Sequence, residues 1–373
     1  MKRIAILTIL PLITATISVK DQRLSDFADN IRKEYKIPEI GYAVLTSDSI
    51  LEMNILGFKR ADTEIKAEPD DQFHLGSNTK AITGFIAALL VKQKKIGWDT
   101  KFFDLNPEIK SNSKPAYYDM TLMDLLTHRA RIRPLTDGDE YPNPIVGKFK
   151  GDTTTQRYEF VKWVLSLDPV ESEEKISYSN AGYSAAAVML EKASGKTWED
   201  LVLDLGEKLG VRFGFSWPNI NDPSQPWGHW GVDNKLIPTP PSDSYRLFWV
   251  EPAGDLNMNL PDYAKFIQLQ LLGLAGRSSL LSKEEFEFLH YGVPEPDHYS
   301  IGWSWAVNQK GQHVSAFNGS AETFYCFAYI IRDIDTAYIV FANCGSEKAE
   351  AGVRKLLAFL IKKFTGHKSH MRF

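Results

Sequence analysis

Strand-like runs crowd the two ends of this chain, and a long, mainly helical stretch separates them. Near the start, residues 40–46 and 50–58 are apolar and β-branched, with the turn Ser47-Asp48-Ser49 between them. Near the end, residues 301–308, 313–318, 324–331 and 337–343 repeat that character, broken by Lys310-Gly311 and Asp333. Strands carry backbone donors and acceptors that need partners, so the simplest arrangement is one antiparallel sheet contributed by both ends. The middle is then an insertion and not a second domain on a linker. Helices are predicted over 21–36 (closed by Pro38), 121–126, 181–193 (ended by Gly195), 262–272 (opened by Asn259 and Pro261) and 349–364. A further helix starts at Thr197, with a capping box to Asp200. The fold class is α/β in the α+β sense, with a single domain over 19–364. Its sheet subdomain covers 19–75 plus 295–364, its mainly helical subdomain covers 76–294, and 365–373 forms a flexible tail.

The most apolar helical stretch begins at Ala81, with Ile82, Phe85, Ile86, Leu89 and Leu90 at helical spacing. Ser77 stands where that helix starts, Gly76 permits a tight entry, and Lys80 follows three residues later. Residues three apart on a helix are neighbours, so an amine is set beside a hydroxyl. A serine hydroxyl becomes a nucleophile only when a base takes its proton. A lysine can serve as that base only if its pKa falls from about 10.4. The same two residues also suit a plain helix start, with Ser as N-cap and Lys as a good helix former.

Composition narrows the partners. The chain has 373 residues, 43% of them hydrophobic, and a net charge of −4 with no basic run, which argues against nucleic acid. The eight histidines show no metal-ligand spacing and no Gly-rich phosphate loop follows a strand, so neither metal nor cofactor is expected. Met1-Lys2-Arg3 followed by an apolar run over 4–13 reads as an export signal, with Thr16 and Ser18 supporting cleavage after Ser18. The run is too short for a comfortable membrane span and contains Pro11, so the expectation is a periplasmic or secreted protein with no membrane span after cleavage. A turn near Asp333-Ile334 sets Cys326 opposite Phe341 and not Cys344, so two free, buried thiols are expected. The irregular stretches 129–152 and 216–255 are long enough to be functional. The tryptophans of the second (Trp217, Trp227, Trp230, Trp249) read as anchors for the loop more than as substrate contacts.

Well after Ser77 comes Ser177-Tyr178-Ser179-Asn180-Ala181-Gly182-Tyr183, just before a helix. Alone, Tyr-x-Asn is a turn closed by Asn. Together with Ser77-x-x-Lys80, Leu125-Leu126-Thr127-His128, Pro252-Ala253-Gly254-Asp255-Leu256 and Ile301-Gly302-Trp303, in this order, it resembles the serine β-lactamase and penicillin-binding-protein superfamily. The likeness is closest to the branch of class C β-lactamases, D-peptidases and family VIII esterases. It implies a β-lactamase/transpeptidase-like fold, a Ser77 acyl-enzyme, a proton-handling pair in Lys80 and Tyr178, and Asn180 orienting a substrate amide. Either Lys80 or Tyr178 could take the first proton. His128, at a helix end, reads as a structural hydrogen-bonding residue.

The third motif departs from that family. Where it carries Lys or His, then Thr or Ser, then Gly, this chain has Phe317-Asn318-Gly319-Ser320. Gly319 is kept, the backbone N–H groups of Ser320 and Ser77 could form an oxyanion hole, and Asn318 could donate a neutral hydrogen bond. The cation is missing, with Glu322 close by, although Arg129 or Arg131 could replace it from the loop after His128. The expected function is therefore a serine hydrolase acting on a small-molecule or peptide-like ester, amide or lactam. Esterase or D-peptidase activity is favoured over true β-lactamase activity, with weak preference for carboxylate-bearing substrates. The alternative is a non-catalytic or very slow penicillin-binding sensor; four intact chemical residues favour catalysis.

Overall fold

In the computed structural model, which describes residues 22–136, 148–171, 176–232, 235–242, 248–293 and 298–365, the two ends of the chain meet in one sheet. The export signal and the tail beyond Thr365 lie outside the described residues. Helix α1 (Gln22–Glu34) leads into β1 (Glu39–Leu45), β2 (Ile50–Gly57) and β3 (Gln72–His74). Next come α2 (Thr79–Lys92), α3 (Phe102–Leu105), α4 (Leu122–Leu126), α5 (Thr153–Ser166), α6 (Asn180–Ser194) and α7 (Trp198–Leu209). They are followed by β4 (Gly214–Phe215), α8 (Pro218–Asn221), β5 (His229–Val232), β6 (Lys235–Pro238), α9 (Glu251–Gly254) and β7 (Leu256–Asn259). The order ends with α10 (Leu260–Leu274), α11 (Lys283–Tyr291), β8 (Ser304–Val307), β9 (His313–Ser320), β10 (Tyr325–Ile331), β11 (Thr336–Ala342) and α12 (Glu347–Phe364).

The main sheet has six strands in the order β2-β1-β11-β10-β9-β8, and every neighbouring pair is antiparallel. Ala43 lies opposite Ile339, which joins the first strand of the chain to the last. Both β1 and β11 are buried along their whole length. One face, with Tyr42, Val44, Tyr338 and Val340, packs on Leu24 and Ile31 of α1 and on Val353, Leu356 and Leu360 of α12. Phe27 and Phe359 stack between those helices at 3.9 Å. The other face, with Ala43, Leu45, Ile339 and Phe341, packs on the core that holds Ile82, Phe85, Phe266 and Ile267. Strands covered on both faces read as continuous apolar runs and not as alternation, which is why they stood out in the sequence. The helix α2 is enclosed on almost all sides. Truncating its Phe85, 1% exposed, to Ala would cost about 3–5 kcal/mol.

The middle is less purely helical than expected. It carries two small sheets, β3-β7-β4 and β5-β6, whose two- to four-residue strands are too short to leave a period in the sequence. β3, grouped with the terminal sheet by sequence, pairs instead with β7, Phe73 opposite Met258. At Thr197 the hydroxyl accepts Asp200 N–H at 3.0 Å, whereas the reciprocal capping box is found at Thr121 and Asp124. Helix α6 ends on Gly195 in the left-handed conformation (φ 73°), as its sequence suggests. Cys326 lies opposite Phe341, and both cysteines are free and buried. The loop tryptophans act mainly as anchors: Trp217 Nε1 donates to Thr323 Oγ1 at 3.0 Å, and Trp227 Nε1 to Pro223 O at 2.9 Å. No helix among the described residues is long and apolar enough to cross a membrane.

Candidate active site

Ser77 does not cap a helix. It sits in a single 3-10 turn, Gly76–Asn78, which leads into α2. Gly76 has φ +51°, and a Cβ there would lie 2.7 Å from the backbone N of Ser320, so only glycine lets the turn pass this close to β9. Gly319 is equally constrained: a Cβ on it would lie 1.9 Å from Leu75 O and 2.9 Å from Ser77 N. The two glycines together bring the backbone of Ser77 beside that of Ser320.

The hydroxyl of Ser77 is held from two sides. Lys80 Nζ lies 3.0 Å from its Oγ, and Tyr178 OH donates to it at 2.7 Å. Lys80 is wholly buried. Its Nζ also donates to Asn180 Oδ1 and to Ala253 O, both at 2.8 Å. No carboxylate forms an ion pair with it among the described residues, and burial pushes its amine well below the usual lysine range. A neutral amine has two N–H groups and one lone pair. In that form, with the N–H groups on the two carbonyl acceptors, the lone pair faces Ser77 Oγ. Burial pushes the Tyr178 hydroxyl above the usual phenol range, opposed by its bond to Ser77, so Tyr178 stays protonated.

Neighbouring segments set these positions. Tyr178 precedes α6, whose N-cap Ser179 accepts Gly182 N–H at 3.0 Å. His128 Nδ1 accepts Ser179 N–H at 3.1 Å and His128 O accepts Ser177 N–H at 2.8 Å. Burial, with Lys80 and Arg129 nearby, pushes His128 well below the usual imidazole range. It is a neutral brace in contact with the Tyr178 ring (4.4 Å between centroids), in keeping with its structural reading. Asn180 Nδ2 donates to Leu135 O at 3.1 Å. Both ends of its amide are therefore engaged within the protein, and in this state it holds Lys80 where the resemblance had it orient a substrate amide. The α9 segment is anchored by Thr83 Oγ1, which donates to Pro252 O at 2.7 Å, and by buried Arg157, 3.5 Å from Glu251.

Of the sequence-chosen residues, the structure brings together Ser77, Lys80, Tyr178, Asn180, Gly319 and the backbone of Ser320. Asn318 is exposed, and strand alternation places it on the face opposite Phe317 and Gly319. Phe317 is buried against Tyr299, their rings 5.9 Å apart, and Tyr299 in turn contacts His128 and Tyr178. Neither arginine fills the missing cation's place: Arg129 donates to Thr127 O and Arg131 to Val170 O. Four residues beside the site had no role assigned from sequence: Ala253, Tyr299, and a buried pair, His74 and Asp255, whose Nε2 and Oδ1 are 2.8 Å apart. Asp255 had a visible signal, since it stands where the resembled loop has a second glycine. Among the described residues no cluster of His, Cys, Asp and Glu could hold a metal.

Comparison with known proteins agrees with this geometry. The fold is similar to the octameric penicillin-binding protein homologue from Pyrococcus abyssi (TM-score 0.73, 21% identity, 92% of this chain and 78% of that one). It is also similar to a β-lactamase from Sulfitobacter sp. EE-36 (TM-score 0.71, 19% identity, 93% and 99% covered). In sequence the chain is similar to Protein flp of Staphylococcus aureus (strain N315), 21% identical over 354 residues, 94% of this chain and 67% of that protein. The Beta-lactamase family model matches residues 24–363, a span holding the six-stranded sheet, the Ser77 turn and the Tyr178 segment. The chain therefore belongs to the β-lactamase family, a group of serine hydrolases and acyl-transferases.

Proposed function

We propose that this protein hydrolyses uncharged ester or amide substrates through an acyl-enzyme at Ser77, as an esterase or D-peptidase and not as a β-lactamase. The observation that carries the reading is Ser77 Oγ held between a buried, carboxylate-free Lys80 (3.0 Å) and the Tyr178 hydroxyl (2.7 Å). Neutral Lys80 accepts the Ser77 proton as Oγ attacks the carbonyl carbon. The developing oxyanion is bound by the backbone N–H groups of Ser77 and Ser320. Tyr178, still protonated, is placed to pass a proton to the leaving oxygen or nitrogen, and Lys80 returns one. Water then enters where the leaving group departed, and the same groups act in reverse to free Ser77. Asn180 and Ala253 O keep the lysine lone pair aimed at Ser77.

The substrate preference rests on the aromatic pair Phe317 and Tyr299, which stands where the family's cation would meet a substrate carboxylate. A hydrogen bond to a charged group contributes about 1.5–3 kcal/mol, roughly ten- to a hundredfold in affinity. The test has two arms. Mass spectrometry after fluorophosphonate treatment should find the adduct on Ser77. Matched substrates, one with a free carboxylate beside the scissile bond and one with its methyl ester, should give equal or higher kcat/KM for the neutral member. Strong preference for the acid, abolished by Arg129→Ala or Arg131→Ala, would overturn the substrate reading. Labelling with no turnover on any ester or amide would favour a binding or sensing role.

A further inference from the structure

We propose that His74 and Asp255 are positioning residues for the oxyanion-binding turn, an inference that rests on the Ser77 reading above. His74 closes β3, three residues before the nucleophile, and Asp255 follows directly on α9; they are far apart in sequence and 2% and 5% exposed. A neutral imidazole has one donor and one acceptor, and the partner of one nitrogen decides the role of the other. Asp255 Oδ1, 2.8 Å from His74 Nε2, can only accept, so the ring proton sits on Nε2. Nδ1 is thereby the acceptor, and it takes the N–H of Gly76 at 3.1 Å.

That bond has a specific consequence. Gly76 is the left-handed residue of the turn (φ +51°), and the next N–H in the chain is that of Ser77. Fixing the Gly76 N–H fixes the peptide plane that precedes the Ser77 donor. The ring cannot easily swing away: it packs on Trp217 at 4.8 Å between centroids, and His74 O accepts from Cys326 Sγ at 3.1 Å. Asp255 belongs to the segment that supplies Ala253 O to Lys80. The dyad thus ties the acceptor of the base to the turn of the nucleophile, so that oxyanion donor and lysine keep one relative position.

The experiment compares double variants of the full chain that both lack the buried carboxylate. His74→Phe/Asp255→Gly keeps an aromatic ring against Trp217 but offers Gly76 no acceptor. His74→Asn/Asp255→Gly restores one, because an Asn side-chain oxygen accepts the N–H two residues on in an Asx turn. The readouts are kcat and KM on a p-nitrophenyl ester, the rate of fluorophosphonate capture and the melting temperature. Complete loss of one oxyanion donor lowers kcat by about 10²–10³-fold. A misaimed donor in the Phe variant should therefore lower kcat and capture rate by roughly ten- to a hundredfold with KM little changed. The Asn variant should recover most of both. Equal rates in the two double variants, with the wild type labelled at Ser77, overturn the dyad alone. Labelling of the wild type at another residue overturns the functional reading and the dyad with it. A further readout needs no variant to fold: ¹⁵N spectra of histidine-labelled wild type should show His74 protonated on Nε2, and a proton on Nδ1 overturns the proposal.

Discussion

Lys80 Nζ lies over the ring of Tyr178, 4.7 Å from its centroid, while the tyrosine hydroxyl points to Ser77. A nearby cation lowers a phenol's pKa, but burial pushes this lysine toward its neutral form and pushes the phenol up. That arrangement supports the proposed division of labour, amine as base and phenol as donor.

Ser77→Ala should abolish acyl labelling and hydrolysis while leaving the fold intact. Ser77 is not an N-cap, so what is lost is its pair of hydrogen bonds, at a cost of no more than about 2 kcal/mol. Thermal unfolding and intact-mass labelling check both halves. Persistent labelling of the Ala variant at another serine would refute the assignment.

Lys80→Ala and Tyr178→Phe should each slow acylation by roughly 10²–10⁴-fold, and the double variant should be little worse than Lys80→Ala alone, because the two residues serve one proton transfer. The pH profile separates them. Only the neutral amine is a base, so the rate rises with pH through the lysine's pKa, which burial has moved well below the usual range. Tyr178→Phe should keep that acid limb at a midpoint well under about 10.4, and Lys80→Ala should lose it. An acid limb that vanishes in Tyr178→Phe would make the phenol the base.

Phe317→Lys should restore a cation beside the scissile bond. The ratio of kcat/KM for a free-acid substrate to that for its methyl ester should rise by roughly ten- to a hundredfold. The melting temperature should fall, because the Phe317 ring is buried against Tyr299. An unchanged ratio in a folded variant would show that position 317 does not read the carboxylate.

Glu39→Gln should stabilise the protein increasingly as pH rises. Glu39 is fully buried, and burial first, then Asp71 beside it, hold its carboxyl well above the usual range. A carboxyl raised on folding contributes stability that is complete below its unfolded pKa and is lost as pH rises through the folded value. A glutamine side chain has no such proton to lose. The gap in melting temperature between the Glu39→Gln variant and wild type should therefore widen as pH rises above the unfolded carboxyl value of about 4.3, and a gap independent of pH would contradict the upward shift.

Features encoded over a few residues were legible before folding. The buried runs of β1 and β11, the caps at Asn259 and Gly195, and the Ser77-to-Lys80 step along one turn are short-range patterns, and each lies where its spacing implied. The short strands β3 and β4 were illegible because two or three residues cannot display a period. The environment of the site comes from long-range packing. Whether Lys80 is charged depends on water excluded from every side and on which carbonyls surround it, and those come from α6 and α9, far along the chain. The motif implied a substrate contact at Asn180, whereas its bonds to Lys80 and Leu135 O were not legible in the sequence. Asp255 departs from the resembled loop's second glycine, but its pairing with His74 became visible only when β3 and the end of α9 came together. Periodicity records which face a residue takes, whereas pKa values and hydrogen-bond partners are set by neighbours brought from elsewhere in the chain.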